Sequence, residues 1–398
     1  MPTNCVLLYD AQWNETYYAN ILKRSRHARD KHIFLFPCDE TSCIPAFLDE
    51  HNTDLALAPS HPAMRAFTAA MQERPRMKGG CPEAFAICDN KLACRALISG
   101  CDGVKFSAVV KSDRWVPEVE GVTGGSFFKP ANGFRCHGCM HIRNGQQVPN
   151  PYFGSDQCAN TELGEYASLS AFTDSVGIVE QFLSAAEAPM IVSVDGWVGG
   201  DGTVHRHCIS ENIYRDRYSA AFDCLVTPAQ RLTTTQKASC WALYETITTD
   251  LSKRGVSRQY VDVEMFVMAD GSCQCMEVNL RCFSNQLMMF PLVFGPEGCC
   301  VSNSIDILRG EQPPAVPELP TGRVGVTAYV PSISGAPMYI ESKTCDAIYY
   351  SGAQHAHVYA VSNQGQEHAR RRCDRFYEQT ASQYMYSQVT KVKSTPNA

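Results

Sequence analysis

The stretch "SFFKPANGFRCHGCMHI", residues 126–142, admits two readings, and the choice between them decides the fold. Cys136, His137, Cys139 and His141 offer four zinc-type donors. The same stretch also reads as a strand that ends on Lys129 and runs into a loop containing Gly133 and Gly138. Zinc sites usually draw their four tetrahedral ligands from two separated pairs, whereas here all four donors crowd between Cys136 and His141. The second reading is preferred. A lysine at a strand end brings positive charge, and glycines let backbone N–H groups close over a phosphate.

Further along, "VDVEMFVMADGSCQCMEVNLR" (261–281) reads as a hairpin turning at Asp270-Gly271. Side chains two apart on a strand share a face. Asp262 and Glu264 therefore face one way on the first strand, and Glu277, Asn279 and Arg281 on the second. Met276, Val278 and Leu280 are expected to point into a core. Folding the hairpin sets Glu264 beside Glu277. Two carboxylates and an amide oxygen are hard ligands suited to magnesium, and without a cation such carboxylates repel. Arg281 suits an anionic oxygen of phosphate or carboxylate. The plain alternative is a solvated sheet face whose charges pair among themselves.

Upstream, strand and helix patterns alternate. "CVLLYD", "HIFLFP" and "DLALAPS" are strand-like, with helices expected near 17–29 and at "AFLDEH". Together they predict a small parallel α/β domain over residues 1–85. No GxGxxG follows the first strand, so no dinucleotide site is expected there. "CDNKLACRALISGCDGV" predicts a helix with Leu92, Ala96 and Leu97 on one face, ended by Gly100 or Gly103. "GIVEQFLSAAEAP" is a strand running into a linker, and "MIVSVDGWVGGDGTVHRHCI" a hairpin. "TPAQRLTTTQKASCWALYETITTDLSKRG" predicts one long helix capped at Gly255. Further strands are expected at "GRVGVTAYVPS" and "HAHVYAVSNQG", and "QEHARRRCDRFYEQTASQYMYS" is a closing helix whose Arg370–Arg372 run reads as a solvated face.

Composition restricts the function classes. Of 398 residues, 44% are apolar and 19% charged, and 41 acids against 35 bases give a net charge of −6. A nucleic-acid surface needs a basic excess or stripe, so none is expected. No window approaches the apolar length of a membrane span, and no signal-peptide pattern opens the chain. Most of the 20 cysteines sit in apolar or strand-like runs, as small buried residues do. A reduced, cytoplasmic protein is the expectation.

The ordered series resembles the ATP-grasp superfamily. It comprises a lysine at a helix start, a lysine on a strand before a glycine-containing loop, the "VEQFL" linker, and Glu with Glu-x-Asn-x-Arg on a hairpin. The resemblance is nearest to carboxylate–amine ligases of the amino-acid and dipeptide type, such as carnosine synthase and bacterial L-amino acid ligases. It implies an α/β (α+β) ATP-grasp fold: an N-terminal α/β domain (1–85), a central region with a mobile lid (86–183), and a C-terminal antiparallel-sheet domain carrying the metal hairpin (184–398). It implies Lys91 and Lys129 on phosphates, under a loop containing Gly133 and Gly138. The hinge Glu180, Gln181, Phe182 and Leu183 would hold adenine, and Glu187 the ribose. Glu264, Glu277 and Asn279 would be ligands of magnesium or manganese, and Arg281 would lie beside a reacting acyl phosphate. The cofactors implied are ATP and a divalent ion, and the partners a small carboxylate and an amine. Many family members are dimers, which is compatible with a homodimer, although no segment marks an interface. A biotin-carboxylase-like enzyme and a nucleotide-binding module without catalysis are the alternatives.

Some groups read differently. His205 and His207, and likewise His355 and His357, are expected to be surface or pocket-lining pairs rather than metal ligands. Asp195-Gly196-Trp197 reads as a turn with a core aromatic. Met288, Met289 and Phe290 are core, while Phe283 and Ser284 are near enough to line an acceptor site. Arg215 and Arg217 are candidates for a γ-phosphate contact.

Overall fold

The structure is a computed structural model. It describes residues 3–10, 15–102, 104, 106–110, 125–132, 139–143, 146–149, 176–214, 222–282, 286–331, 339–341, 347–351 and 355–393. Gly133, Gly138, Arg135, Cys136, His137, Arg215, Arg217, Phe283 and Ser284 lie outside those residues.

The first sheet is parallel, in the order β2-β1-β3, from β1 (Cys5–Tyr9), β2 (Ile33–Pro37) and β3 (Ala56–Leu57). It is flanked by α1 (Glu15–Lys23), α2 (Ile44–Glu50) and α3 (His61–Glu73). Strand β1 is apolar at every position because both its faces are covered. Cys5 and Leu7 pack towards α1, and Val6 and Leu8 pack into a second cluster. Helix α1 stops at Lys23, short of the expected end. Residues after it turn, and Ser25 Oγ bonds back to Leu22 O at 2.8 Å.

Next come α4 (Pro82–Asp89) and α5 (Lys91–Asp102), broken only at Asn90. The Asn90 side chain accepts from Ala93 N at 3.0 Å, the bond expected of an N-cap. A residue between Asp89 and Lys91 is therefore what starts the second helix. The buried face of α5 is set by Cys94, Arg95 and Ile98, whereas Ala96 is exposed. The face expected from Leu92, Ala96 and Leu97 is thus rotated, because a buried arginine does not register as apolar.

A second, antiparallel sheet runs β4-β8-β5-β6-β7: β4 (Phe106–Val110), β5 (Ser126–Pro130), β6 (Met140–Arg143), β7 (Gln146–Pro149) and β8 (Val176–Gln181). The opening stretch thus begins in β5 and ends in β6, and its two glycines lie outside the described residues.

The largest sheet has nine antiparallel strands, in the order β13-β12-β9-β10-β11-β14-β17-β16-β15. They are β9 (Met190–Val198), β10 (Val204–Tyr214), β11 (Phe222–Thr227), β12 (Gln259–Val267), β13 (Cys273–Asn279), β14 (Val324–Pro331), β15 (Tyr339–Glu341), β16 (Ala347–Ser351) and β17 (His355–Ser362). Helix α6 (Thr234–Lys253) covers one face through Leu243, Tyr244, Ile247 and Leu251. Helices α7 (Met289–Phe294) and α8 (Cys300–Arg309) cover the other, and α9 (Gln366–Lys393) seals the far strands through Ala369 and Cys373.

Three expectations change here. Helix α6 begins only after Thr233, which forms a capping box with Gln236, because residues up to Thr227 finish β11. Asp195-Gly196-Trp197 lies inside β9 rather than in a turn, and all three are buried. A Cβ at Gly196 would stand 2.2 Å from His205 O, so only glycine lets β10 approach there. The Arg370–Arg372 run is partly engaged: Arg370 pairs with Asp223 at 2.8 Å and Arg372 donates to Val361 O. No disulfide joins the described cysteines to one another, and most of them are buried. No helix among the described residues is long and apolar enough to cross a membrane.

Candidate active site

The hairpin β12–β13 places Asp262 opposite Asn279 and Glu264 opposite Glu277. The register then slips between Glu264 and Met265. Cys275 takes the core position expected of Met276, while Val278 and Leu280 are buried as expected. Met276 is turned out into a pocket with Lys91, Arg95, Lys129, Ile178 and Glu277. Strict alternation cannot foresee a bulge.

Two lysines reach this pocket from different elements. Lys91 opens α5, and its Nζ lies 3.1 Å from Glu277 Oε1. Burial alone would lower the Lys91 pKa, but Glu277, Cys139 and Asp89 outweigh it and hold the ammonium above the ordinary lysine range. Burial would likewise raise Glu277, yet Lys91 and Lys129 keep it below the usual carboxylate range. Lys129 on β5 pairs with Glu180 Oε1 on β8. Arg95 holds the other oxygen at 3.0 Å and donates to Cys275 O at 2.8 Å. Glu180 is 4% exposed. Its burial penalty is overcome by Lys129 and Arg95, so it stays ionised below its ordinary pKa.

The backbone ties the lysine-bearing segments together. Lys91 N donates to Ala131 O at 2.7 Å, and Asn90 bridges to Asn132. Strand β8 ends on half-buried Gln181, and the linker after it begins with buried Phe182 and Leu183. Phe182 N donates to Gly125 O at 3.1 Å. Glu187 closes a local turn: its Oε2 accepts from Ser184 N at 2.9 Å and Ser184 Oγ at 2.7 Å.

Asn279 Nδ2 donates to Asp262 Oδ2 at 3.0 Å and reaches towards Glu264 Oε1 at 3.5 Å, while Asn279 Oδ1 accepts from Arg281 at 3.3 Å. Arg281 also donates to Cys282 O. Among the described residues no three His, Cys, Asp or Glu side chains converge as a metal site. Two carboxylates and an amide nevertheless suit an ion such as magnesium, which takes few protein ligands and completes its shell with phosphate oxygens and water. Around Cys139 and His141, the described half of the zinc reading, Cys139 is buried and the His141 ring packs on Phe182 at 4.3 Å.

The structure thus brings together Lys91, Lys129, Glu180, Glu264, Glu277, Asn279 and Arg281. Sequence reasoning missed five neighbours. Arg95 stands one helical turn after Lys91, a spacing that shares a face and was readable. Met276 was assigned to the core. His61 and Asp89 pair with each other, and Arg65 holds both Asp89 oxygens at 3.1 Å. Burial, with Arg65 and Arg281 nearby, outweighs the Asp89 contact and lowers the His61 pKa. Nothing local in the sequence marks this group, because it forms only when α3, which carries His61 and Arg65, meets Asp89 at the end of α4. The expectation of a surface or pocket-lining pair on β10 fails at His207, which is buried. His207 is 8% exposed, bonded to Tyr260 and packed on Phe290 at 4.5 Å, and His205 stacks on Trp197 at 5.1 Å.

These features define a class: the chain has the ATP-grasp fold. Its structure is similar to that of "ADP complex of purK: N5-carboxyaminoimidazole ribonucleotide synthetase", at TM-score 0.64 and 13% identity over 97% of this chain and 98% of that one. It is also similar to an L-amino acid ligase from Bacillus licheniformis (TM-score 0.62, 13% identity, 96% and 97% covered). A phosphoribosylglycinamide synthetase from Anaerococcus prevotii follows (TM-score 0.58, 11% identity, 94% and 97% covered). No protein-family model and no curated protein matches the sequence.

Proposed function

We propose that the protein is an ATP-dependent, ADP-forming ligase that joins a small carboxylate, such as an amino acid, to an amine. The observation that carries this reading is the convergence of Lys91, from a helix start, and Glu277, from the hairpin, at 3.1 Å in a pocket that Lys129 also lines. Cations meet a metal-type acid there in the chain order the family resemblance requires. In this reading the N-terminal part spans 1–85, the lid region 86–183 and the C-terminal part 184–398.

In this reading the nucleotide lies between the second and the nine-stranded sheet. Phe182 N–H already bonds Gly125, so adenine contacts fall to the Gln181 carbonyl and the Leu183 N–H. Ile178 and Met276 supply apolar cover. Glu180 acts through Lys129 and Arg95, orienting the phosphate lysine rather than holding the base by its side chain. Glu187 keeps one carboxylate oxygen for the ribose. Glu264, Glu277 and Asn279 would hold magnesium or manganese, which when bound neutralises phosphate charge.

The chemistry has two steps. A carboxylate oxygen attacks the γ-phosphorus in line, the bond to the β-phosphate breaks, and ADP leaves with the electron pair. Lys91, Lys129 and Arg281 offset charge on the transferring group, the main source of catalysis in such transfers. The amine nitrogen then adds to the acyl phosphate, loses its proton, and phosphate departs. Arg281 stabilises the tetrahedral oxyanion.

The test is a matrix of amino acids, small carboxylates and bicarbonate against amines, with ATP and magnesium, read by ADP release and product mass. Equal amounts of amide, ADP and phosphate support the reading. AMP with pyrophosphate would mean an adenylate and overturn it, and a product formed only with bicarbonate would make the protein a carboxylating enzyme.

A further inference from the structure

Two thiols meet where helix α6 packs on the β12–β13 hairpin, and the ligation chemistry uses neither. Cys240 Sγ and Cys273 Sγ lie 3.5 Å apart, from positions 33 apart in the chain. We propose that Cys240 and Cys273 form a reversible oxidation site, which a hydroperoxide converts to a disulfide that ties the start of β13 to α6.

The two thiols differ in access. Cys240 is fully buried, on the face of α6 that also carries Leu243, Tyr244 and Ile247. Cys273 opens β13 and is half-buried, so a small oxidant reaches it first, with Cys240 directly behind. Cys88 with Cys94, and Cys282 with Cys300, also make thiol–thiol contacts, but all four of those residues are buried. The hydrogen bond with Cys240 lowers the Cys273 pKa, against burial and Asp270, which raise it. The thiolate is the reactive form, and the contact therefore favours attack by Cys273.

The chemistry balances over two steps. The Cys273 thiolate attacks one peroxide oxygen and the O–O bond breaks. The other oxygen leaves with the electron pair, takes a proton, and becomes water or an alcohol. Cys273 is then a sulfenic acid. The Cys240 sulfur attacks the Cys273 sulfur, the S–O bond breaks, and hydroxide departs with the Cys240 proton as water. The two thiols lose two electrons in all and the peroxide gains two. Side-chain rotation and a small shift at the strand start bring the sulfurs from contact to bonding distance.

The hairpin tip next to this pair is held by weaker ties. Ala269 N donates to Glu187 O at 2.8 Å, and a Cβ at Gly271 would stand 3.8 Å from Gln236 Cγ at the start of α6. A bridge at Cys273 adds a covalent tie behind the tip. It also closes a loop in the unfolded chain and removes freedom there. The oxidised protein should therefore resist urea better, and its tip should open less often.

The test treats the full-length protein with hydrogen peroxide, removes the excess with catalase, blocks remaining thiols with N-ethylmaleimide in urea, and maps peptides without reduction. A peptide cross-linked through Cys240 and Cys273 should appear, both thiols should be lost to the blocking agent, and dithiothreitol should restore them. The urea midpoint should rise, and amide exchange at residues 268–273 should slow. Cys240→Ser should stop at a Cys273 sulfenic acid, which dimedone traps. If that variant fails to fold, Cys273→Ser decides, because its change lies at a half-buried strand start and should leave Cys240 reduced. The inference is overturned if Cys240 and Cys273 are both still blocked after Cys43 and Cys101 have been oxidised. It is equally overturned if Cys273 bridges to a different cysteine in the parent, or if Cys240 oxidises as readily in Cys273→Ser. A bridge that leaves midpoint and exchange unchanged overturns the tie to α6. None of these readouts involves nucleotide or metal, so they stand apart from the ligase assay.

Discussion

Lys91 Nζ and Glu277 Oε1 stand 3.1 Å apart although 186 positions separate them in the chain. Neither is free of the other until a phosphate or an ion takes its place. Lys91→Met should leave the fold intact and lower ADP formation about 10²–10³-fold, the scale seen when one group that stabilises a transition state is removed. Glu277→Gln should cost a similar factor. The double variant should lose little more than the worse single one, because paired residues acting on one step are not additive. Steady-state ADP release on all three proteins checks this, and full multiplication of the two losses would show that they act independently.

Arg95 is a structural prediction. Its side chain is 3% exposed and pairs with Glu180, itself 5% exposed at the side chain. Removing one partner strands a buried charge, which typically costs about 3–5 kcal/mol. Arg95→Met should therefore destabilise strongly in urea unfolding, and more than Lys129→Met. Equal stability of Arg95→Met and the parent would mean that Lys129 alone satisfies Glu180.

Acid should weaken the nine-stranded sheet through His207. Burial pushes its pKa down from 6.5 to about 3. The unfolded chain takes up a proton below about 6.5 that the folded chain refuses. Its contribution to stability is complete above that pH and falls as pH drops towards 3. Between pH 7 and 4.5 the loss is about 2–3 kcal/mol. Urea unfolding of the parent and His207→Phe at both pH values measures the difference. The parent should lose that much more than the variant, and identical pH slopes would dismiss His207 as the source.

The thiols should divide sharply. Cys43 and Cys101 are exposed, whereas burial pushes Cys5 and Cys299 up to about 12. At pH 8 iodoacetamide should label the first two quickly, because the thiolate is the nucleophile. Cys5 and Cys299 should stay unlabelled until urea is added. Peptide mass mapping reads the outcome, and prompt native labelling of Cys5 would mean that the first sheet opens readily.

Much of this site was legible because its chemistry sits on strands, where side chains alternate and two segments quoted in order place their faces. Glu264, Glu277, Asn279 and Arg281 declare themselves that way, and Lys129 by its place at a strand end. What was hidden depends on departures from period or on tertiary contact. One bulge after Glu264 exchanged Met276 for Cys275 in the core. Arg95, the charged residue most deeply set in α5, disguised that helix's buried face. His61 and Arg65 meet Asp89 only when α3 is brought against the end of α4, and the stretch expected to open α6 finishes β11 at Thr227 and stays non-helical up to Thr233.

The backbone bond from Lys91 N to Ala131 O, with the Asn90–Asn132 bridge, has a mechanical meaning. These bonds couple the two cations to each other, with Lys129 two positions before Ala131 on the same chain segment. A displacement of either lysine away from Glu264 and Glu277 is therefore transmitted to the other, and the work of separating them from the acids has an electrostatic part. Dissolved salt lowers such work where water enters the gap. The rate at which a bound polyphosphate escapes should then rise with ionic strength even if no residue in contact with it is changed.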